Sequence, residues 1–460
     1  MSKRFLSNLS FKGSLLLIIG VDNLQYWDEK IETMKRDELE KFQLKHLKSI
    51  LEHAYNNSEF YRNSFREAGV SPSDVNSLND IRKLPTIKKD DIRKDQEVSP
   101  PLGKMTAVPE KDVVYISVSS GSTGMPTASP FTAQDFEDWM DYEARLFYSS
   151  GMRATDRYCH ALNMSLFVGG PCVLGAQKLG ALCIHAGTIP SERLLRIMLQ
   201  FQPTVTWTTP SYAWYLGETA EKQGIDVAHD TAINKIFVAG EPGGSISATK
   251  KRIEQLWGAD VYDYYGLSDI FGACAGECEE KAGLHFSEDH MIVEVLDLKT
   301  GEQVDEHEEG EMVLTTIKKR ARPMIRFRTG DLVSYELEKC GCGRTHMRLL
   351  GVCGRTDDML IIKGVNVLPS SVEPVVRGNK KLSGEYRLVV DRIDHLDVLT
   401  IEIERCDCKG DAKILEREVQ RDLRAVLGIT PKVTVFEDGT LPRETHKAKR
   451  IKDNRKNVWK

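Results

Sequence analysis

Hydrophobic positions along this 460-residue chain follow three successive rhythms. Between residues 29 and 55, Leu39, Phe42, Leu47, Ile50 and Ala54 recur at helical spacing with charges between them. This predicts a largely helical N-terminal arm over the first hundred or so residues. From Val113 onward the apolar runs become short and close on Gly, Ser or Pro, as in Val113 to Val118, Ile236 to Ala239 and Val261 to Tyr264. Helical stretches such as Glu192 to Gln200 and Ala248 to Leu256 lie between them. Alternating strand and helix predicts an α/β core with a mainly parallel sheet, whose functional residues gather in loops at the strands' C-terminal ends.

The last hundred or so residues read as a separate unit of ordinary domain size. Tyr386 to Val390 and Val398 to Glu404 alternate like a two-stranded β pair. Asp411 to Leu427 follows as an amphipathic helix with Ile414, Leu415, Val419, Leu423 and Val426 on one side, and Gly428 sits where a C-cap glycine belongs. Pro431 then leads into a strand at Lys432 to Phe436. The expected fold class is α/β, with a large N-terminal α/β core over residues 1–356 and a small C-terminal α+β lid over 357–460. Neither an internal repeat nor a low-complexity linker marks the boundary, so the junction is expected to be short.

Composition narrows the classes without naming a function. Hydrophobic residues make up 41% and charged residues 28%, which excludes disordered, collagenous and membrane classes. Lys plus Arg is 63 against 68 for Asp plus Glu, so a net charge of −5 gives no reason to expect a nucleic acid or a membrane as partner. The apolar run Leu15 to Val21 is far shorter than the roughly 20 residues that span a bilayer. Lys3 and Arg4 imitate a signal-peptide start, but Lys12 intrudes and no cleavage site follows. The run is read as an apolar patch docking on the body or on a second subunit, which leaves a homodimer open. Ten cysteines are too few for a disulfide scaffold and fit a reducing cytoplasm with metal binding.

Five loops carry the candidate chemistry. Ser119-Ser120-Gly121-Ser122-Thr123-Gly124-Met125-Pro126-Thr127 follows a strand directly, and its small residues and hydroxyls suit phosphate oxygens. It lacks the Gly-Lys-Ser/Thr ending of a Walker loop, so P-loop NTPase chemistry gets little weight. Asp263-Tyr264-Tyr265-Gly266-Leu267-Ser268-Asp269 offers an aromatic for a base, a hydroxyl for a phosphate and a carboxylate for Mg²⁺. Arg328-Thr329-Gly330-Asp331-Leu332 places an acid where ribose hydroxyls could bond. Gly354-Arg355-Thr356-Asp357-Asp358-Met359, continuing through Lys363-Gly364-Val365-Asn366-Val367, is the fourth, and Thr440 to Arg450 is the fifth. Each is weak alone, but their order and spacing are specific.

Taken together with Tyr26-Trp27-Asp28 and Gly240-Glu241-Pro242, these loops make the chain resemble the adenylate-forming acyl-CoA synthetase superfamily, and within it the phenylacetate–CoA ligase family. The likeness runs from about Tyr26 to Lys452. It implies that MgATP adenylates an aromatic carboxylate, and that coenzyme A then attacks the acyl-AMP to give a thioester, AMP and pyrophosphate. Dividing a difficult acyl transfer into two steps lowers each barrier.

On this resemblance Ser119, Ser120, Gly121, Ser122, Thr123 and Gly124 cradle the phosphates. Gly240, Glu241 and Pro242 border the adenine, Tyr265 stacks on it, and Tyr264 and Gly266 lie beside it. Ser268 reaches the α-phosphate, Asp269 holds Mg²⁺, and Asp331 with Arg355 binds the ribose. Asp357 is the hinge of the lid, Gly364, Val365 and Asn366 meet coenzyme A, and Lys447 is the catalytic lid lysine. Three departures stand out: Met125 replaces the usual Lys, Asp269 the usual Glu, and His446 the usual Gly, so that Lys447 and Lys449 compete and register favours Lys447. Two alternatives follow, an enzyme that passes the acyl group to a carrier protein or other nucleophile, and a non-catalytic adenylate-binding protein.

Glu277-Cys278-Glu279, Gly283-Leu284-His285 and Cys340-Gly341-Cys342 supply three thiols and an imidazole. They form either a closed Cys₃His structural zinc set or four unconnected reduced side chains. The resemblance favours zinc, with Cys274 as reserve ligand, while Cys406 and Cys408 read as ordinary thiols. The acyl pocket is expected from Asn163, Phe167, Gly169, Gly170, Trp207, Pro210 and Ala239, where aromatics beside paired glycines suit a flat ring. Core packing is the competing reading, most of all for Trp207. A phenylacetate, benzoate or indoleacetate relative is the expected acid.

Overall fold

The computed structural model describes residues 25–119, 126–162, 169–187, 189–356, 359–362, 365–393, 396–406, 411–443 and 450–455. The N-terminal arm begins at a short helix, Glu29–Glu32, whose first turn is capped by Asp28 Oδ1 accepting from the Ile31 N–H at 3.1 Å. Thr33 ends it, so the helix expected from residue 29 is two, and the long one runs Arg36–Asn57. That helix buries Leu39, Gln43, Leu47, Ile50, Leu51 and Ala54, while Phe42 is half-buried. Helices Glu59–Glu67 and Lys89–Val98 complete the arm.

The core is built on an 11-stranded sheet. The strands Arg157–His160, Leu182–His185, Val205–Thr208, Lys235–Ala239 and Asp260–Leu267 are joined by parallel pairings. From Asp260–Leu267 outward, through Gly272–Glu277, Leu284–Phe286, Arg348–Arg355, Phe327–Glu336 and Gly310–Thr316 to Met291–Leu296, every pairing is antiparallel. The expectation of a mainly parallel sheet therefore holds only for its first half. A parallel crossover needs a connection of a dozen or more residues, usually helical. No helix separates the strands after Trp257 until the C-terminal unit, so turns close them into hairpins instead. Gly266 lies in the strand leading into one such hairpin, at a shift of register, where a Cβ would stand 1.8 Å from the Gly272 carbonyl oxygen.

Helices cover both faces of the parallel half. On one side, helix Ala133–Ser149 brings Trp139 and Phe147 into an aromatic core with Phe131, Trp207, Phe237, Tyr264 and Phe271. On the other, helices Ser191–Phe201, Pro210–Lys222 and Ser247–Trp257 bury Leu195, Met198, Leu216, Ile253 and Trp257. A separate hairpin, Val113–Val118 with Ala128–Thr132, carries the serine-rich loop between its strands.

The C-terminal unit has its own hydrophobic core, with Leu388, Val390, Ile401, Ile403, Val419 and Leu423 fully buried. Its four-stranded sheet pairs Leu382–Ile393 with Leu396–Arg405 antiparallel and adds Lys432–Phe436 and Ile451–Asp453 as parallel outer strands. Asp411 caps helix Ala412–Leu427 and Gly428 ends it at φ +69°. The buried stripe is Leu415, Val419, Leu423 and Leu427, an unbroken i, i+4 row. Ile414 and Val426, expected on that face, are 56% and 53% exposed, because each lies one residue, about 100°, off the stripe. The expected hinge, Asp357, lies outside the described residues, and among those described no helix is long and apolar enough to cross a membrane.

Glu143 is an anomaly in the aromatic core: it is fully buried, and its two hydrogen bonds come from neutral donors. Its carboxyl accepts from Trp139 Nε1 at 3.2 Å and from the Cys172 thiol at 3.0 Å. Burial raises its pKa to about 8, more than these two bonds lower it. An acid that keeps its proton longer when folded gives stability that is complete below the ordinary value of 4.5 and lost as pH rises toward about 8. The shape-matched Glu143→Gln is therefore expected to flatten the fall in melting temperature between about pH 5 and pH 9, leaving the variant a few degrees more stable at the alkaline end. Calorimetry across that range checks this, and a fall identical to the parent's contradicts it.

Candidate active site

The strand Asp260–Leu267 ends beside residues from three distant segments. Because side chains alternate along it, Tyr264 and Tyr265 face opposite ways. Tyr265 donates its hydroxyl to Asp331 Oδ2 at 2.5 Å, and Arg355 Nη1 pairs with Asp331 Oδ1 at 2.6 Å. The antiparallel register that sets Asp331 opposite Arg355 fixes this trio. Burial first, and then the Asp331 carboxylate, pushes the Tyr265 phenol well above its ordinary range, so it remains a neutral donor. Tyr264 instead enters the core, with its ring 4.8 Å from Trp207 and its hydroxyl 2.5 Å from Ser150 Oγ. Of the two tyrosines expected at the nucleotide, the structure brings only Tyr265 to Asp331.

Asp269, two residues beyond the strand, is the junction of the serine-rich hairpin, the arm and the core. Thr127 Oγ1 donates to its Oδ1 at 3.0 Å, and Thr127 in turn holds Ser119 through its N–H at 2.9 Å and its hydroxyl at 3.0 Å. Lys89, on the arm's last helix, pairs with Oδ2 at 2.7 Å, and Arg322 Nη2 stands 3.9 Å from Oδ1. Burial alone would raise the Asp269 pKa, but Lys89 and Arg322 more than offset it and hold the carboxyl below its ordinary value. Lys319, completely buried, donates to Ser129 Oγ and to the carbonyls of Asp269 and Ile270. The result is an ionised, buried carboxylate at the mouth of the serine-rich loop. Sequence reasoning missed Lys89, Lys319 and Arg322, and took Thr127 only as the end of the phosphate loop; for Lys319 and Arg322 the run Lys318-Lys319-Arg320-Ala321-Arg322 was the available signal.

The Gly240-Glu241-Pro242 loop follows the strand Lys235–Ala239, with Gly240 at φ +91°. Glu241 Oε1 accepts from the N–H of Ser211 at 2.7 Å and from its hydroxyl, binding the loop to the start of helix Pro210–Lys222. Asp263 braces the same loop through the Ser245 hydroxyl, and burial raises its pKa to about 7, with the nearby Glu277 adding to the rise. Ser268 is half-buried beside Asp269, and Gly266 is exposed. Pro210 is buried and Ala239 and Gly170 are half-buried, while Gly169 opens helix Gly169–Leu179. Trp207 is 2% exposed and packs between Phe147 and Phe237 as well as Tyr264, the core environment that was its competing reading. Val365 is exposed on a short strand with Asn366. Ser120, Gly121, Ser122, Thr123, Gly124, Met125, Asn163, Phe167, Asp357, Gly364, His446, Lys447 and Lys449 lie outside the described residues.

The four expected metal ligands do converge. One ligand atom each from Cys278, His285, Cys340 and Cys342 lies within 4.8 Å of every other. The Cys278 and Cys340 sulfurs are 3.8 Å apart, too far for a disulfide, and Cys342 Sγ is 3.5 Å from His285 Nε2. Zn–S bonds near 2.3 Å and Zn–N bonds near 2.0–2.1 Å make tetrahedral edges of about 3.8 and 3.5 Å. The donor set thus fits a closed Cys₃His centre, whereas Cys274 is held apart, its thiol directed to the Gly272 carbonyl. The same knuckle anchors the arm. Gln25 Nε2 and the Tyr26 hydroxyl both donate to the Cys342 carbonyl, at 3.0 and 3.2 Å, and Arg344 pairs with Glu32 at 2.6 Å.

The chain is similar to known proteins in both sequence and fold. Residues 43–317 match the family model of the AMP-binding enzymes, and residues 364–455 match that of the AMP-binding enzyme C-terminal domain. The phenylacetate–coenzyme A ligase of Aromatoleum evansii is 37% identical over 440 residues, covering 93% of this chain and 97% of that protein. That of Pseudomonas putida is 36% identical over 435 residues, with the same coverage. Among solved structures, 2-hydroxyisobutyryl-CoA ligase with its acyl-AMP in the postadenylation state is 30% identical, covers 94% of this chain and 93% of its own, and superposes with a TM-score of 0.89. The same ligase in its thioesterification state covers 95% of each chain at a TM-score of 0.71.

The trio of Tyr265, Asp331 and Arg355 predicts that Asp331→Asn weakens AMP binding by about tenfold or more, since charge-assisted bonds to a carboxylate are the stronger kind. Titration calorimetry with AMP measures this. Unchanged affinity in a folded variant contradicts the ribose assignment.

Proposed function

Because the chain belongs to the AMP-binding enzymes and, within them, to the phenylacetate–coenzyme A ligase family, we propose that it joins an aryl carboxylate to coenzyme A using ATP. Phenylacetate is the first candidate acid. In the first half-reaction a carboxylate oxygen attacks the α-phosphorus of ATP and pyrophosphate leaves. In the second, the coenzyme A thiolate attacks the acyl carbon, and AMP leaves with the former carboxylate oxygen. The observation that carries this reading is the match over 93% of the chain to a ligase of that name, and in this chain the motif residues Tyr265, Asp331 and Arg355 meet across interior strands of the sheet.

Within this proposal Asp331 and Arg355 orient the ribose, Tyr265 faces the adenine, and Gly240, Glu241 and Pro242 border it. Ser119 through Gly124 enclose the departing phosphates, and Ser268 meets the α-phosphate. Asp269 is the magnesium ligand; an ionised carboxylate at the loop mouth is the hard oxygen donor that such a cation takes. Magnesium there would offset phosphate charge, and Lys89 must then release the oxygen it now holds. Residues 1–356 form the adenylation core, and 357–460 a lid turning about Asp357 that delivers Lys447 to the carboxylate and α-phosphate. A cation there stabilises charge developing in the transition state. Gly364, Val365 and Asn366 meet the pantetheine arm in the second half-reaction. The nine described cysteines are all free thiols, which suits a cytoplasmic enzyme.

A screen of aryl and alkyl acids with ATP and coenzyme A, read as AMP release and thioester formation, tests the function. Phenylacetate or a close aryl acid is expected to exceed alkyl acids by at least about tenfold, the scale that a pocket's shape alone supplies. AMP release that does not depend on coenzyme A, or thioester formation confined to alkyl acids, contradicts it.

We further propose that Cys278, His285, Cys340 and Cys342 hold a structural zinc ion, supported by tetrahedral edge lengths and by the arm's attachment to the same knuckle. Four protein ligands leave no open position for catalysis. Protein purified without added metal is expected to carry about one equivalent of zinc per chain, and elemental analysis below about 0.2 equivalents contradicts the site.

A further inference from the structure

Where the C-terminal unit meets the core, one aromatic side chain takes contacts from both. Trp214 lies on helix Pro210–Lys222, one turn beyond Ser211, the residue that binds Glu241 of the proposed adenine loop. Its indole N–H donates to Glu218 Oε1 at 2.6 Å, which fixes the ring's orientation. From the core, Arg252 stands 5.9 Å from the ring centroid, and from the C-terminal unit Arg377 stands 5.2 Å from it. Arg377 is buried and paired with Glu373 at 3.0 Å, yet its Nη1 makes no hydrogen bond, so the π face of Trp214 is positioned to meet this cation.

Gly384 completes the contact. It is buried, sits at φ +89°, and approaches so closely that a Cβ there would come 3.1 Å from Trp214 Cη2. Ser383, Glu385 and Arg443 of the same unit line the cleft beside Ser211, Tyr215 and Glu218 of the core. The adenine loop, Ser211, Trp214 and the C-terminal unit thus form one continuous chain of contacts. Their arrangement is that of one catalytic state. At equal identity of 30%, the chain superposes on 2-hydroxyisobutyryl-CoA ligase with a TM-score of 0.89 in the postadenylation state, 0.73 in the open state and 0.71 in the thioesterification state.

We propose that Trp214 is a positioning residue for adenylation: by gripping Gly384 and Arg377 it holds the C-terminal unit in the adenylating arrangement, and this grip is released for thioester formation. The inference rests on the ligase reading above. It assigns Trp214 to one half-reaction only, which a merely structural tryptophan would not respect.

Pyrophosphate exchange reports the first half-reaction, and thioester formation from supplied acyl-adenylate and coenzyme A reports the second. Trp214→Ala is expected to slow exchange at least tenfold while leaving thioester formation within twofold of the parent or faster. Arg377→Met, made on the other side of the contact, should show the same split, and the double variant should be no slower in exchange than Trp214→Ala alone. Trp214→Phe keeps a flat face and should retain most exchange, so it carries the test if the alanine variant does not fold. Equal loss in both half-reactions, no loss in either, or effects that simply add would overturn the proposal. Parent protein that exchanges pyrophosphate with no acid refutes the ligase reading itself, an outcome distinct from failure of the Trp214 contact.

Discussion

A charge buried away from water is tolerated only when its partners are already in place. Asp269 is 3% exposed, and its surroundings show what that demands. Lys89 comes from the helical arm, Thr127 from the hairpin, and Arg322 from the turn before the strand Phe327–Glu336. Lys319, from the same turn, secures the adjoining backbone. Segments up to 233 positions apart in sequence must therefore dock before the carboxylate can be enclosed. Leaving it unpartnered would cost several kcal/mol, so arm, hairpin and core are fixed relative to one another at the mouth of the serine-rich loop. The site's geometry descends from this junction.

The same requirement explains what the sequence could and could not disclose. Local patterns were legible. The long arm helix, the β pair of the C-terminal unit and the helix that ends at its C-cap Gly428 follow from periodicity and capping chemistry. The motif Asp263 to Asp269 and the Cys₃His set were legible as residue types at telling spacings, and the structure gathers the latter within bonding range of a single ion. Long-range packing was not legible. Alternation shows that Tyr264 and Tyr265 diverge but not which one faces the core, and that depends on Trp207 and Phe147 arriving from elsewhere. Ile414 and Val426 fit a broad apolar face, whereas the sheet covers only a narrow stripe. Lys89 and Trp214 gain their meaning only from partners on other segments. The second half of the sheet is antiparallel because its strands follow one another without helices, an absence less conspicuous than a motif.

Two units with separate cores suit a reaction divided in two. Adenylation needs cations and hydrogen-bond donors around a phosphate, whereas thioester formation needs a thiolate beside a carbonyl carbon, and one rigid cleft serves both poorly. A small body that turns against a fixed nucleotide site resolves the conflict, provided each arrangement has contacts of its own. The proposed fixed side is the trio of Tyr265, Asp331 and Arg355, tied into the central sheet by strand register. The C-terminal unit, proposed as the movable side, meets the core at Trp214 and Gly384, next to the loop proposed to border adenine. The Cys₃His knuckle stands apart from this exchange and holds the arm that supplies Lys89.

The central claim is that an aryl carboxylate becomes an acyl-adenylate before it becomes a thioester. Isotope transfer tests this most directly: phenylacetate labelled with ¹⁸O in its carboxylate is turned over with ATP and coenzyme A, and the products are weighed by mass spectrometry. The carboxylate oxygen that attacks the α-phosphorus must leave with AMP, so one labelled oxygen is predicted in each AMP and one in the thioester carbonyl. Unlabelled AMP, or label appearing in inorganic phosphate, would contradict the claim.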